Sequence, residues 1–164
     1  MVSIRLANIN DLPAIVAIYN QAILQQFQTA DTKTFSVNER IAWFEKFDER
    51  YPLLVYVIDD IVIGWASISP YRPGRQALRH SVELSYYVHQ DHHSKGIGTA
   101  LIKYALGACK TPGYKNVITI ILDRNEPSIR LMKKLGFEQW AHLPLIADFD
   151  GEECGQVYYG LRIN

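Results

Sequence analysis

Ser94-Lys95-Gly96-Ile97-Gly98-Thr99 sets two glycines one residue apart, where a strand-like run (Val82 to Val88) gives way to a helix-like one (Gly98 to Cys109). Glycines at a helix opening leave backbone N–H groups unpaired and bare of side chains. The helix N-terminus also carries a partial positive charge, so such a turn can hold phosphate. Leu101 stands where a dinucleotide loop would have its third glycine, and no Gly-Lys-Ser/Thr follows to make a nucleotide P-loop. Read alone, the turn fits phosphate binding and plain turn chemistry equally well. In the preceding run Ser81, Glu83, Ser85 and Tyr87 share one face, opposite Val82, Leu84, Tyr86 and Val88. A carboxylate in mid-strand costs free energy unless it has a partner or a chemical role. Arg79 or His80 would be the partner. The histidines (His80, His89, His92, His93, His142) fit no zinc spacing, and Cys109 and Cys154 belong to no CxxC pattern, so no metal site is expected.

These residues need a frame. Ser3 to Leu6 alternates as a strand. Asn10 or Asp11 can cap a first helix, with Pro13 in its first turn and an apolar stripe from Leu12 to Ile23. Ser36 and Glu39 form a capping-box pattern ahead of a second helix carrying Ile41, Trp43, Phe44 and Phe47. Leu53 to Ile58 and Ile61 to Ser69 read as a hairpin turned at Asp59-Asp60. A loop over 70–79 with three arginines precedes the strand of Glu83, Ser81 to Val88. Helix 98–109 follows, and Val117 to Leu122 reads as a strand buried on both faces. Asn125 starts a short helix that Gly136 ends. Two strands close the chain, around Phe137 to Leu145 and Gln156 to Ile163. The order βααβββαβαββ makes one mixed α/β domain over 1–164, without the strict alternation of a doubly wound fold.

Composition narrows the partners. The chain has 164 residues, 48% hydrophobic and 21% charged, with 17 Lys and Arg against 17 Asp and Glu. A formal charge of zero gives no argument for nucleic acid or an anionic membrane as partner. No apolar run approaches a membrane span, no signal peptide is evident, and the sparse cysteines suit a reducing cytoplasm.

Taken together, Val88-x-x-x-x-His93-x-x-Gly96-x-Gly98 and Asn125-x-x-Ser128-x-x-Leu131-x-x-x-Leu135-Gly136-Phe137 resemble the GCN5-related N-acetyltransferase (GNAT) superfamily. Arg40 to Phe44, Tyr51-Pro52 and Val82-Glu83-x-Ser85-x-Tyr87-Val88 are similar to its branch of phosphinothricin acetyltransferases and amino-acid N-acyltransferases. The resemblance implies an α/β (α+β) fold: a mixed, mostly antiparallel sheet, flanked by helices and splayed between strands 4 and 5, with acetyl-coenzyme A in the split and a homodimer as assembly. It implies that amides of Ser94, Lys95, Gly96, Ile97, Gly98 and Thr99 hold the pyrophosphate. Tyr86, Tyr87 and Val88 would pair with the pantetheine arm as with a neighbouring strand, and a backbone N–H near Val88 would polarise the thioester carbonyl. Asn125 and Ser128 would also contact the cofactor. Lys95, Arg124, Arg130, Lys133 and Lys134 are candidates for the adenosine phosphates, each against a solvated helix face as the alternative.

The resemblance makes Glu83 the general base, which takes the proton of an acceptor ammonium, directly or through water, before nitrogen attacks the thioester. The implied reaction is direct acetyl transfer to the primary amine of a small amino-acid-like or xenobiotic molecule. Alternatives are acetylation of a protein N-terminus or lysine, and a non-catalytic acyl-coenzyme A sensor. Phe27, Tyr71, Arg72 and Leu78 are the acceptor candidates, Arg72 because it can grip a carboxylate bidentately. Two residues depart from the family pattern. Met132 stands where relatives carry a tyrosine or histidine able to protonate the departing thiolate, and a thioether has no proton to give. Tyr87, Tyr158, Tyr159 or water would have to serve instead. His93 takes the place of an Arg or Gln at the phosphate turn. Over 149–155, Phe149, Glu153 and Gly155 stand where the branch often has Lys, Trp and Asp, so the acceptor is the least transferable part.

Overall fold

The period-two runs fold as strands and the period-3.6 runs as helices, in the order their patterns predict. The computed structural model describes residues 1–164. It runs β1 (Val2–Leu6), α1 (Leu12–Leu24), α2 (Val37–Phe44), β2 (Leu53–Ile58), β3 (Ile61–Pro70), β4 (Ser81–Val88), α3 (Ile97–Ala108), β5 (Asn116–Leu122), α4 (Glu126–Lys134), β6 (Glu138–Phe149) and β7 (Glu152–Arg162).

Local chemistry sets most boundaries. Ser36 and Glu39 cap α2 reciprocally: the Glu39 N–H donates to Ser36 Oγ (3.3 Å) and the Ser36 N–H to Glu39 Oε2 (2.7 Å). α2 ends at Phe44, leaving Phe47 beyond it, with its ring 4.9 Å from that of Trp43. The start of α1 differs from expectation. Asp11 occupies the cap position, but its carboxylate turns back to the Arg5 guanidinium (2.7 and 2.9 Å) and the Asn8 N–H (2.8 Å), leaving α1 without a side-chain cap. Asp59 and Asp60 both take positive φ (46° and 67°), the primed turn that matches strand twist.

The last hairpin is longer than its pattern suggested. β6 runs on to Phe149 and β7 begins at Glu152. The expected end near Leu145 falls in an irregularity between Leu143 and Ala147, where Pro144 is accommodated, the register shifts and Leu145 takes φ of 52°.

The strands make one seven-stranded sheet, ordered β1-β2-β3-β4-β5-β7-β6. All neighbours are antiparallel except β4 and β5. One face carries the core of α3 and α4 (Ile102, Ala105, Met132) against Val82, Leu84 and Val117. The other buries Ile15 and Ile18 of α1 against Val55 and Trp65, whose indole N–H donates to the Ile15 carbonyl (3.1 Å). The parallel β4–β5 ladder has three rungs, Ser81↔Asn116, Val82↔Val117 and Glu83↔Ile118, and stops there. β5 stays paired to β7 as far as Leu122↔Gln156. The sheet therefore opens between its fourth and fifth strands, and the opening positions everything that follows.

Candidate active site

The split holds a cleft of about 470 Å³, walled by β4 from Leu84 to Val88, β5 from Thr119 to Ile121, the turn into α3 and the start of α4. Alternation fixes which main-chain groups face it. The His80 carbonyl accepts from the Lys115 N–H ahead of β5, whereas the Ser81 carbonyl faces the β3 side and accepts from the Tyr71 N–H. Even-numbered residues of β4 thus turn their main-chain groups toward β5, and past Glu83 no strand meets them. Tyr86 and Val88 present a free strand edge to the cleft. The Val88 carbonyl alone has a substitute partner, His93 Nε2–H at 2.9 Å.

The glycines of the turn serve different ends. Gly96 sits at φ 79°, a conformation costly for any side chain, and a Cβ on it would meet nothing within 4 Å. It is the N-cap of α3 and no side chain caps that helix, so the first N–H groups of α3 are left open. Gly98 has ordinary backbone, but a Cβ there would meet the Tyr86 ring at 3.1 Å and Leu131 at 3.3 Å. It lets α3 close onto β4. Ser94 also takes positive φ (60°), and the Lys95 ammonium turns away to the Asp91 carbonyl (2.9 Å).

Asn125 caps α4, its Oδ1 accepting from the Ser128 N–H (3.4 Å), and Ser128 Oγ bonds the Tyr86 hydroxyl (2.8 Å). That bond ties α4 to β4 beneath the cleft. Among the basic candidates, Lys134 lines the cleft. Arg130 pairs with Glu126 (3.3 Å) and Arg124 with Glu152 (2.9 Å), as a solvated helix face and a hairpin contact would.

Glu83 lies on the α1 side of the sheet at the last rung before the split, between Ser69 of β3 and Ile118 of β5. Neither Arg79 nor His80 pairs with it; the Arg79 guanidinium donates to the Gln76 carbonyl (3.0 Å). Burial alone pushes the Glu83 carboxyl above its ordinary range. Met132 is sealed in the core. Tyr87 is wedged between the rings of Tyr19 (5.0 Å) and Trp65 (4.9 Å), and burial pushes its hydroxyl up to about 12. The Tyr159 hydroxyl donates to Gln139 Oε1 (3.3 Å). Burial holds Cys109 at about 11 and raises Cys154, and neither lines the cleft.

The four acceptor candidates do not form one pocket. Arg72 and Leu78 line a second cleft, about 330 Å³, at the base of β4 with Arg50, Arg75, Arg79 and Ser81. Tyr71 is beside it, its ring 5.6 Å from the Arg72 guanidinium. Phe27 is elsewhere, with its ring 5.0 Å from that of Phe149 and 4.5 Å from the Arg124 guanidinium. Sequence reasoning passed over Thr119, a single hydroxyl in the apolar run of β5, and Arg50 and Arg75, which only the fold brings to Arg72. The lone threonine among Val117, Ile118, Ile120 and Ile121 was the available signal.

Comparison with known proteins agrees with this geometry. The model of the acetyltransferase (GNAT) family matches residues 15–137. The chain is 36% identical to the L-amino acid N-acyltransferase MnaT of Escherichia coli, over 99% of this chain and 94% of that one. It is 34% identical to the L-methionine sulfoximine/L-methionine sulfone acetyltransferase of Salmonella typhimurium, over 99% and 95%. The crystal structure of a phosphinothricin acetyltransferase from Sinorhizobium meliloti in complex with acetyl-coenzyme A superposes with a TM-score of 0.92 at 29% identity, over 98% and 88%. The chain belongs to the acetyltransferase (GNAT) family and is an N-acetyltransferase whose acyl donor is acetyl-coenzyme A.

Proposed function

We propose that the protein transfers acetyl directly to the primary amine of a small amino-acid-like acceptor, with Glu83 as the base. The observation that carries this is an unpaired, half-buried carboxylate at the rung where the sheet opens. Acetyl-coenzyme A supplies an electrophilic acyl carbon and a leaving thiolate. The open N–H groups from Ser94 to Thr99 hold its pyrophosphate against the N-terminus of α3. The free edge of Tyr86 and Val88 receives the pantetheine amides as a strand would, and the Val88 N–H faces the acyl carbonyl. Asn125, Ser128 and Lys134 close the far wall.

A carboxyl raised by burial is a stronger base than an ordinary glutamate once ionised, which suits removal of a proton from an ammonium. The arginine cleft takes the acceptor's acid group. Ser81 lines that cleft and lies two residues from Glu83 on the same strand face, about 6.6 Å along β4. That span suits a molecule whose acid group lies several bonds from its amine. With both cysteines buried away from the cleft, transfer proceeds in a ternary complex without an acetyl-enzyme. The same reading has two copies associating through the β6 edge, where Trp140, Leu145 and Ile146 are exposed.

The test is thiol release from acetyl-coenzyme A across a panel of amino acids, amino-acid analogues and peptides, with Glu83→Gln alongside. Turnover of small acidic amines, intersecting initial-rate patterns and a loss of about 10²-fold or more in Glu83→Gln are expected. A ping-pong pattern would sink direct transfer. Turnover confined to peptides would move the acceptor to proteins, and tight cofactor binding with no amine-dependent release would make the chain a binding module.

A further inference from the structure

Thr119 Oγ1 is the single side-chain polar atom that is both sealed from solvent and without a hydrogen-bond partner. The residue is 3% exposed. On one side β5 pairs it with Tyr159 of β7; on the other, the β4 ladder has ended one rung earlier at Glu83↔Ile118. Thr119 therefore stands at the vertex of the split, in the wall of the cleft. Valine would fill the same space without a desolvated hydroxyl, so the free protein bears a cost that valine would avoid. By strand alternation Thr119 faces the side of Val117 and Ile121, where Met132 packs.

The family resemblance puts the donor to the departing thiolate at position 132, on that side. Met132 has no proton to offer, Tyr159 is committed to Gln139, and Tyr87 is wedged between rings on the opposite face. We propose that the Thr119 hydroxyl donates a hydrogen bond to the coenzyme A sulfur as the acyl C–S bond breaks. The proposal rests on acetyl-coenzyme A occupying the split. The chemistry balances without a further reactant. The C–N bond forms, the C–S bonding pair goes to sulfur, and the nitrogen loses two protons, one from the ammonium before attack and one from the tetrahedral adduct, each passing through Glu83 to solvent. Threonine keeps its proton throughout; it stabilises the thiolate and does not protonate it.

Thr119→Val and Thr119→Ser test this with readouts beyond activity. Ligand-free Thr119→Val should melt about 2–4 °C above wild type, because an unsatisfied buried hydroxyl is removed without changing volume. By calorimetry at alkaline pH, wild type should bind coenzyme A more tightly than its desulfo form. Thr119→Val should narrow that ratio several-fold while leaving the desulfo affinity unchanged. Single-turnover acetyl transfer should slow about tenfold in Thr119→Val, with Thr119→Ser recovering most of it. No rise in melting temperature would overturn the premise that the hydroxyl is unpartnered. A rise with an unchanged ratio, or an equal loss for both forms, would overturn the assignment to sulfur. Failure of wild type to bind either form would remove the cofactor reading of the split, and this proposal with it.

Discussion

Gly96→Ala and Gly98→Ala should separate the two jobs of the turn. At Gly96 the backbone is at φ 79° with open space where a Cβ would go. A non-glycine residue in that region costs about 1–2 kcal/mol, offset by about 0.4–1 kcal/mol from the lower chain entropy of unfolded alanine. The net loss of about 1 kcal/mol corresponds to a fall of about 2–4 °C for a domain of this size. The methyl projects into the space the phosphates are to occupy, so coenzyme A affinity should fall tenfold or more, about 1.4 kcal/mol. At Gly98 the backbone is unstrained and alanine is the better helix former by up to about 1 kcal/mol. Its methyl must displace the Tyr86 ring from 3.1 Å, and that ring is tied to Ser128 at 2.8 Å. Stability of Gly98→Ala should stay within about 1 kcal/mol of wild type. Its cofactor affinity should fall, because the wall formed by Tyr86 and Ser128 shifts. Thermal melts of the ligand-free proteins and calorimetric titration with coenzyme A read both effects. Wild-type affinity in Gly96→Ala would refute the cradle. A fall of more than about 8 °C would show that the turn is held by packing beyond its own backbone conformation.

Glu83 and Asp11 have opposite pH signatures. The Glu83 carboxyl is raised by burial, so its favourable share of stability is complete below the unfolded-state value and lost as pH rises through the folded one. Glu83→Gln should therefore melt higher than wild type at pH 8, by a margin that shrinks toward pH 4, while the wild-type rate should lose its base on an acid limb above the ordinary glutamate range. A Glu83→Gln protein less stable than wild type at pH 8 would mean that the carboxylate has a partner. Arg5 and the Asn8 N–H hold Asp11 below the usual carboxylate range, so its contribution is present above the unfolded value and lost as pH falls through the folded one. Asp11→Asn should cost about 2 kcal/mol at neutral pH and little at acid pH, read from denaturant melts. Arg72→Ala should raise KM for an acidic acceptor about tenfold and leave that for acetyl-coenzyme A unchanged. Ile146→Glu should shift the sedimentation of a dimer toward monomer; an unchanged value would move the contact away from β6.

The frame was legible because its signals are local. Ser36 and Glu39 cap as their spacing says, Asp59-Asp60 turns a hairpin, and β4 begins and ends where its alternation does. Errors fell where one local signal met another. The Asp11 carboxylate had both Arg5 and a helix to serve and went to the charge. The pattern of β6 ends near Leu145, and the strand continues past it through an irregularity to Phe149. The site divides in the same way. The glycine turn, Glu83 and Asn125 are readable because spacing along one segment fixes their geometry. The arginine cleft is not, since it needs Arg50 ahead of β2 brought against Arg72 and Arg75 after β3. Thr119 was hidden for another reason: its neighbours in sequence are core residues, and its environment departs from theirs only because a ladder stops one rung short of it.

The early end of that ladder explains why the deficits of the fold gather in one place. Elsewhere buried polar groups are matched: Trp65 by the Ile15 carbonyl, Tyr114 by the Arg50 carbonyl (3.0 Å), Asp11 by Arg5. Around the split they are not. The edge of Tyr86 and Val88 has no strand, the start of α3 has no side-chain cap, Thr119 has no partner, and the Glu83 carboxylate has no cation. Each leaves the free protein less stable than a repaired version would be. A ligand with a strand-like amide arm at one end and a pyrophosphate at the other meets the first two, and its reacting end meets the rest. Stability and catalysis thus draw on the same groups, so Thr119→Val and Glu83→Gln should each strengthen the fold by removing what the reaction needs. A protein in which these substitutions only weakened the fold would have partners for the Thr119 hydroxyl and the Glu83 carboxylate, and the link between the unmatched groups of the split and its chemistry would fail.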